Sequence, residues 1–337
     1  MKSLKKAARF WQVRVFNMIH TAMKIDENRI HTSVMKTQIG HYLKPVKNGV
    51  YVDATLGFGG HTLEILERSN YSAKVICFEI DSDTLAITSD MLSAYKDNLI
   101  FIHQNFANLG QVLQDLNIKT VDGIVADLGL SSFLLEQSGR GFSFQNDEFL
   151  DMRADTSKEL RAFDIINNYS SQQLSELLWK YGEERFSKQI AQAIVKNRAI
   201  DKISTTFELR SIVDGAIPAK FKPKKINPST KVFQALRIAV NNELANLEVF
   251  LHQAVSLLAK GGRLAVISFH SLEDRIVKNI FRQYSDPCTC PPDLPHCSCG
   301  QVPSLKLITK KAILPSETEV SLNPRSRSAR LRVAQKI

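Results

Sequence analysis

Short apolar runs alternate with amphipathic stretches between residues 31 and 135. The apolar runs predict strands at 50–53, 74–79, 98–103 and 121–127, and the stretches between them predict helices. Strands and helices that alternate in this way form a parallel sheet with right-handed crossover connections. We therefore predict an α/β fold with a parallel central sheet.

The alternation stops after the fourth predicted strand. Residues 136–228 show no clear strand. Helical periods lie near 171–181, 184–199 and 206–216. We interpret this segment as a small helical domain inserted into a sheet domain that comprises residues 31–135 and 229–337. Residues 1–30 begin with a basic stretch, so we expect a disordered or accessory N-terminal extension, with a transit peptide as the alternative.

The last third of the chain returns to a sheet pattern. One long helix is predicted over 229–262, because apolar residues recur at helical spacing and Gly261-Gly262 closes the run. The stripe comprises Phe233, Leu236, Val240, Leu244 and Leu247. A fifth strand at Arg263–Phe269 and final strands at 305–309 and 328–334 complete the predicted sheet.

The first candidate functional residues lie where the first predicted strand ends. Asp53 is its last residue, and the turn that follows contains Gly57, Gly59 and Gly60. Glycine lets the backbone pass close to a ligand, although a purely structural turn has the same pattern. Glu79 lies roughly 20 residues beyond the glycines, where a doubly wound fold places a carboxylate on a ribose hydroxyl. We therefore predict a nucleoside-containing cofactor. NAD and S-adenosylmethionine both stay possible as this cofactor, although the lack of a full GxGxxG pattern argues against a dinucleotide.

Polar and aromatic residues also follow the other predicted strands. Phe106 follows the third strand, and it either stacks on an adenine or packs in the core beneath its loop. Asp127 ends the fourth strand, and His270 and Glu273 follow the fifth. In open α/β sheets, ligands bind at the carboxyl ends of the strands. We therefore expect these residues to meet at one site.

The composition and the net charge limit the classes of binding partner that we expect. The 337 residues are 44% hydrophobic and 23% charged, values of an ordinary globular protein. No stretch has the roughly 18 apolar residues needed to cross a bilayer, so no membrane partner is expected. The net charge of +10 indicates a polyanionic partner or a basic tail, and basic segments lie at Lys220–Lys225 and Pro324–Arg332.

Four of the five cysteines lie between residues 288 and 299. Cys288 and Cys290 form one CxC pair, Cys297 and Cys299 form another, and His296 is adjacent. Four thiols this close are able to bind zinc tetrahedrally, but CxxC is the usual spacing and CxC strains the chelate. We therefore assign no metal site from the sequence. The pattern is not that of a secreted disulfide framework, which favours a reducing, cytoplasmic location.

Eight short motifs, in one order along the chain, carry a family resemblance. They are His31–Met35, Asp53–His61, Asp127–Ser132, Arg140–Phe144, Leu150–Arg153, Phe233–Arg237, Ser268–Arg275 and Asn323–Arg325. With them the chain resembles the 16S ribosomal RNA cytosine-N4 methyltransferases, the RsmH or MraW family. The resemblance implies a Rossmann-like methyltransferase dependent on S-adenosylmethionine (SAM), with an inserted helical domain. Its implied target is a cytosine in the decoding centre of the small ribosomal subunit.

The resemblance also implies roles for individual residues. Those implied to bind SAM are Gly59, Gly60, His61, Glu79, Phe106, Asp127 and Leu134. Glu79 would hold the ribose hydroxyls, where the family more often has Asp. Leu134 stands where the family often has Gln or His, and its side chain cannot donate a hydrogen bond. Catalysis would require an acceptor for a hydrogen bond from the cytosine amine; Asp127 is the first candidate, and His270 and Glu273 are the second.

Three alternatives stay open on the sequence alone. The first is an NAD-dependent oxidoreductase built on the same sheet. The second is a non-catalytic RNA-binding factor for ribosome assembly, and the third is a cytosine-N4 methyltransferase that acts on DNA. The sequence also does not distinguish a monomer from a homodimer.

Overall fold

The computed structural model describes residues 33–221, 227–290 and 298–337. The N-terminal extension predicted over 1–30, the second part of the basic loop at Lys220–Lys225, and Cys297 lie outside these ranges. Within them, no helix is both long enough and apolar enough to cross a membrane.

A seven-stranded sheet forms the centre of the fold. Its strands are β1 (Val50–Asp53), β2 (Lys74–Glu79), β3 (Leu99–His103), β4 (Val121–Asp127), β5 (Leu258–Ser268), β6 (Leu305–Leu307) and β7 (Arg330–Lys336). Their order across the sheet is β3-β2-β1-β4-β5-β7-β6. Strands β1 to β5 pair in parallel, whereas β7 pairs antiparallel with both β5 and β6. The predicted α/β fold is confirmed, and each predicted strand is present with some shift at its ends.

Thirteen helices accompany the sheet within the described residues. They are α1 (Lys36–Leu43), α2 (Gly60–Arg68), α3 (Ser82–Met91), α4 (Leu109–Asp115), α5 (Ser132–Glu136), α6 (Ala162–Asn168), α7 (Ser171–Gly182), α8 (Ser187–Arg198), α9 (Thr206–Ala216), α10 (Ser229–Asn241), α11 (Glu243–Leu257), α12 (Ser271–Ser285) and α13 (Glu317–Leu322). The three helical periods predicted between 136 and 228 correspond to α7, α8 and α9.

Helices cover both faces of the sheet. Side chains alternate between the faces along each strand, so neighbouring residues enter different cores. On one face, Val52, Ile76 and Ile124 pack against α4, α11 and α12. On the other, Tyr51 and Val75 pack against α1 and α2. Because both faces are covered, the strand ends are where a ligand can reach the sheet.

The single helix predicted over 229–262 is wrong. The backbone breaks at Asn242, whose φ of 54° and ψ of 37° are left-handed, and this separates α10 from α11. Asparagine tolerates this conformation better than most residues, and the break leaves the hydrophobic period intact, so the sequence pattern hides it. The second helix ends at Leu257, and Gly261-Gly262 lie within β5 instead of closing a helix.

The break divides the predicted apolar stripe between two cores. Phe233, Leu236 and Val240 pack with the helices of the inserted segment. Leu247 packs with the sheet. The helix α10 therefore belongs with the helices α6, α7, α8 and α9 in one helical lobe. The predicted domain boundary at residue 229 instead assigns α10 to the sheet domain. The division of the chain into two domains stays a proposal.

Two groups of polar contacts join the helical lobe to the sheet. The Arg140 guanidinium donates to Asp81 at 2.8 Å and to Asp83 at 3.1 Å, at the beginning of α3. The carboxylate of Glu183, at the end of α7, accepts from Ser271 at 2.7 Å and from Arg275 at 2.8 Å on α12. The lobe is therefore held over the carboxyl edge of the sheet from two sides.

Candidate functional site

A cavity of about 780 Å³ lies between the carboxyl edge of the sheet and the helical lobe. Its walls include the segments that follow β1, β2, β3, β4 and β5, together with side chains of α10. Pockets that enclose small organic ligands span roughly 300–1,000 Å³. The cavity therefore has the size and the position expected for a cofactor site in an open α/β sheet.

The glycine turn after β1 forms one wall of this cavity. Gly57 lines it with a φ of +50°, and a Cβ added there would meet nothing within 4 Å. Gly59 has a φ of +76°, but its Cβ would lie 2.7 Å from the Leu92 side chain, and that of Gly60 would overlap Ser33. Gly59 and Gly60 therefore allow the loop to pack closely on the protein. At Gly57, in contrast, the loop lines the cavity with open space where a side chain would stand, so this is the glycine that leaves room for a ligand.

Glu79 ties this glycine loop to the end of β2. Its Oε2 accepts from the backbone N–H of Gly57 at 3.0 Å, and its Oε1 accepts from those of Ile80 at 2.9 Å and Asp81 at 3.0 Å. Burial raises the pKa of Glu79 to about 6, against the lowering effect of these three donors. A carboxylate offers about four acceptor positions, so one stays available for a hydroxyl group in the cavity.

His61 and Asp127 face each other across the ends of α2 and β4. The His61 Nε2 lies 3.4 Å from Asp127 Oδ2, and the histidine is only 4% exposed. Burial disfavours the imidazolium, but the hydrogen bond and charge of Asp127, with the charge of Asp53, raise the pKa of His61 above its ordinary value. Asp53 is itself buried, accepts from Thr62 Oγ1 at 2.7 Å, and has its pKa raised by burial.

Two buried atoms of this pair have no hydrogen-bond partner among the described residues. They are Nδ1 of His61 and Oδ1 of Asp127. Both residues line the cavity, and the backbone N–H of Asp127 is fixed by Thr55 Oγ1 at 2.7 Å. Buried polar atoms in native proteins nearly always have partners, so unpaired ones beside a cavity point to a ligand that supplies them.

His270 and Glu273 form a capping box at the beginning of α12. His270 Nδ1 accepts from the backbone N–H of Glu273 at 3.4 Å, and Glu273 Oε2 accepts from that of Phe269 at 2.8 Å. The Nε2 of His270 lies 3.1 Å from Glu273 Oε1 but lacks hydrogen-bond alignment. Both residues cap the helix and line the cavity. Because Nε2 of His270 is also a buried atom without a hydrogen-bond partner among the described residues, the catalytic role predicted for this pair stays a prediction.

Phe106 and Leu134 both line the cavity. Phe106 is half-buried in a short 3₁₀ turn (Phe106–Asn108), and its ring centroid lies 5.0 Å from that of Phe250. It therefore packs against the core and also lines the cavity, whereas its stacking on an adenine stays a prediction. Leu134 is 3% exposed and packs in the helical lobe beside the cavity.

Three residues of the site carry no role in the sequence analysis. Arg237 donates from Nε and a terminal nitrogen to the two oxygens of Glu243, both at 2.8 Å. Burial lowers the pKa of Arg237, but the charge and hydrogen bond of Glu243 raise it overall. Asn241 donates to Met152 O and accepts from the backbone N–H of Ala154, both at 2.8 Å. The Phe233–Arg237 motif was the available signal for the first of these residues.

The predicted site residues thus fall into two groups. Those that line the cavity are His61, Glu79, Phe106, Asp127, Leu134, His270 and Glu273. Gly59 and Gly60 instead hold the loop beside it. Contact of any of them with a cofactor stays a prediction.

Comparison with known proteins identifies the family. The profile of the MraW methylase family matches residues 28–337. The chain belongs to the MraW methylase family. Two relatives are called ribosomal RNA small subunit methyltransferase H. The one from Geotalea uraniireducens (strain Rf4) is 48% identical over 307 residues, which are 91% of this chain and 98% of the relative. The one from Clostridium botulinum (strain 657 / Type Ba4) is 46% identical over 91% of this chain and 99% of the relative.

A solved SAM-dependent O-methyltransferase from Thermotoga maritima has a TM-score of 0.41 and 9% identity. It covers 96% of this chain and 71% of its own, a likeness too low to carry an argument.

Membership of the MraW methylase family makes the chain a methyltransferase that uses SAM. This excludes the NAD-dependent oxidoreductase as an alternative. The residues present fit SAM on two observations besides the cavity volume. The ligand side of Gly57 is open, and the buried polar atoms of His61 and Asp127 lack partners among the described residues.

Proposed function

We propose that this MraW methylase transfers a methyl group from SAM to the exocyclic N4 of a cytosine in the decoding centre of 16S ribosomal RNA. The relatives that match it almost end to end carry the name ribosomal RNA small subunit methyltransferase H. The observation that supports the chemistry best is Asp127, whose buried Oδ1 has no partner among the described residues and which lines the cavity.

The cofactor would lie along the glycine loop. Glu79 would accept from a ribose hydroxyl with its remaining acceptor position, and Phe106 would pack beside the adenine. Gly57 would let the backbone approach the cofactor, with Gly59, Gly60 and His61 fixing the loop behind it. SAM supplies an activated methyl group when bound, so the protein has to supply position and an electron-rich nitrogen.

Asp127 would prepare that nitrogen. The lone pair of the cytosine amine is delocalised into the ring, which makes the amine a poor nucleophile. An acceptor that takes a hydrogen bond from N4–H shifts electron density onto the nitrogen and orients it, and the same carboxylate would accept the proton that the amine loses on methylation. The Nε2 of His61 lies 3.4 Å from Oδ2 of Asp127. The second carboxylate oxygen, Oδ1, has no partner among the described residues and would accept the hydrogen bond from the amine.

The RNA would contribute a base taken out of its stack. A nucleobase enters an enclosed pocket only after it is unstacked, and basic side chains that bind the flanking phosphates offset part of that cost. The net charge of +10 supports a polyanionic partner. The helical lobe forms the wall opposite the sheet, which suits it to hold the RNA around the target base.

The test is methyl transfer from tritiated SAM to small ribosomal subunits that lack the modification. We expect Asp127→Ala to lower the rate by about 10²-fold or more, the range for loss of a positioned general base. SAM affinity by calorimetry should stay within about tenfold. Asp115→Ala, which changes an exposed aspartate on α4, is the matched control. Undiminished transfer would remove Asp127 from the mechanism.

Mass spectrometry of the product tests the substrate. N4-methylcytidine at one decoding-centre position is the expected product. Methylation of DNA but not RNA would replace the proposed substrate, and SAM binding without any transfer would favour the non-catalytic assembly factor.

A further inference from the structure

Three cysteines meet at the end of α12 that is remote from the cavity. Cys288 and Cys290 follow the helix, and Cys299 precedes β6. The backbone N–H of Ser304 donates to Tyr284 O at 2.9 Å and closes the base of this connection. The helix has 15 residues, so its two ends are about 22 Å apart at 1.5 Å per residue. The cluster is therefore separate from the proposed active site.

The sulfur atoms have the spacing of ligands around one ion. All three Sγ atoms lie within 4.8 Å of one another, and those of Cys288 and Cys299 are 3.9 Å apart. Two thiolates on a tetrahedral zinc ion, each about 2.3 Å from the metal, are about 3.8 Å apart. A disulfide would require about 2.0 Å. The observed separation thus matches a shared zinc ion and not a covalent bond.

Hydrophobic burial does not explain the cluster. Cysteine is among the most buried residue types, and Cys77 on β2 is fully buried in the core. In contrast, Cys288 is exposed and Cys290 and Cys299 are half-buried. The backbone N–H of Ser298 donates to Cys290 Sγ at 3.3 Å, the kind of contact that supports a thiolate on a metal.

We propose that Cys288, Cys290 and Cys299 bind one Zn²⁺ ion as thiolates. The unusual CxC spacing argued against a metal on sequence grounds, whereas the observed sulfur geometry favours one. Three thiolates leave one position of a tetrahedral ion for a further ligand. The ion would stabilise the connection between α12 and the edge strand β6, and its distance from His270 makes the site structural.

Zinc content is the direct test, with the full chain purified under reducing conditions. Elemental analysis should find about one zinc per chain, falling to below about one-fifth of that in Cys288→Ser, Cys290→Ser and Cys299→Ser. Two variants should retain the metal. Cys77→Ala removes a thiol elsewhere in the molecule, and Ser298→Ala changes the same loop while keeping every thiol and the backbone donor.

A second measurement protects the test against variants that fold poorly. Co²⁺ added to the chelator-treated wild-type chain should give the visible absorption of a tetrahedral thiolate complex, and added Zn²⁺ should displace it. The wild type should also lose thermal stability on chelation and regain it with Zn²⁺.

Three outcomes would overturn the proposal. They are a wild-type chain that binds neither Zn²⁺ nor Co²⁺, iron with acid-labile sulfide in place of zinc, and a disulfide among these cysteines under reducing conditions. None of these readouts depends on methyl transfer, so a failure of the proposed function does not affect them.

Discussion

We expect the affinity for SAM to fall as the pH drops below about 6, because Glu79 is then protonated. In the proposed binding mode its ionised carboxylate accepts from a ribose hydroxyl while it also holds the N–H of Gly57 at 3.0 Å. Burial raises the pKa of this carboxyl group to about 6, within reach of a binding experiment. A protonated carboxyl group is a weaker acceptor, so binding is strong above this pKa and weakens below it.

The size of the effect follows from the pKa. With a pKa of about 6, the ionised fraction is about 0.97 at pH 7.5 and about 0.09 at pH 5. If only the ionised form binds, the apparent Kd rises about tenfold over this range. The substitution Glu79→Gln removes a charge-assisted hydrogen bond worth about 1.5–3 kcal/mol, or roughly 10- to 150-fold in Kd. The amide NH₂ of Gln would also face backbone N–H groups that need an acceptor. We therefore expect the loss of SAM affinity to lie in the upper part of that range.

Calorimetric titration of SAM between pH 5 and 8 measures both effects. The wild type should lose affinity towards acid, whereas Glu79→Gln should bind weakly and almost independently of pH. Any pH dependence that is left in Glu79→Gln would come from other groups, such as His61, whose pKa is raised, despite its burial, by the hydrogen bond and charge of Asp127. Glu67→Gln, on the exposed side of α2, is the matched control, with folding checked at each pH. Constant wild-type affinity across the range, or an unchanged slope in Glu79→Gln, would refute the assigned role.

Two further predictions concern backbone conformation. Gly59→Val should lower the melting temperature, because a Cβ at this position lies 2.7 Å from the Leu92 side chain and φ is +76°. Gly57→Ala should lower the melting temperature less, because its Cβ meets nothing within 4 Å, but it should weaken SAM binding in calorimetry. A Gly59→Val chain that melts like the wild type would contradict this division. Asn242→Gly should keep or raise stability and Asn242→Val should lower it by about 1–2 kcal/mol in urea unfolding, because φ is 54° at this position. Equal stability of these two variants would mean that the break is not needed.

The sheet and its polar edge were predictable because buried parallel strands have a simple sequence pattern. Both faces are covered, so the parallel strands are mainly apolar, and the acids that end β1, β2 and β4 mark the carboxyl edge. Parallel pairing then brings Asp53 beside Val125 and Glu79 beside His103 at that edge. The residues that meet at the cavity could therefore be anticipated without knowledge of any side-chain contact.

The contacts of the helical lobe were not predictable in this way. Asn241 bonds to Met152, which is 89 residues away, and Arg140 bonds to Asp81, which is 59 residues away. No periodicity links such partners, since the first contact depends on how α10 packs within the lobe and the second on how the lobe docks on the sheet. The cysteines show the same limit, because their spacing argued against a metal while their positions bring three sulfur atoms together.

The break at Asn242 explains how one hydrophobic pattern serves both cores and the site between them. A straight helix through this position would keep α10 and α11 on one axis, so their apolar residues could not pack in the lobe and on the sheet at once. The left-handed residue redirects the chain after Asn241, and Phe233 then enters the lobe core while Leu247 enters the sheet core. Arg237 and Glu243 come to lie on either side of the break, where they pair and line the cavity. This polar part of the cavity wall thus depends on a single residue conformation that the hydrophobic period does not reveal.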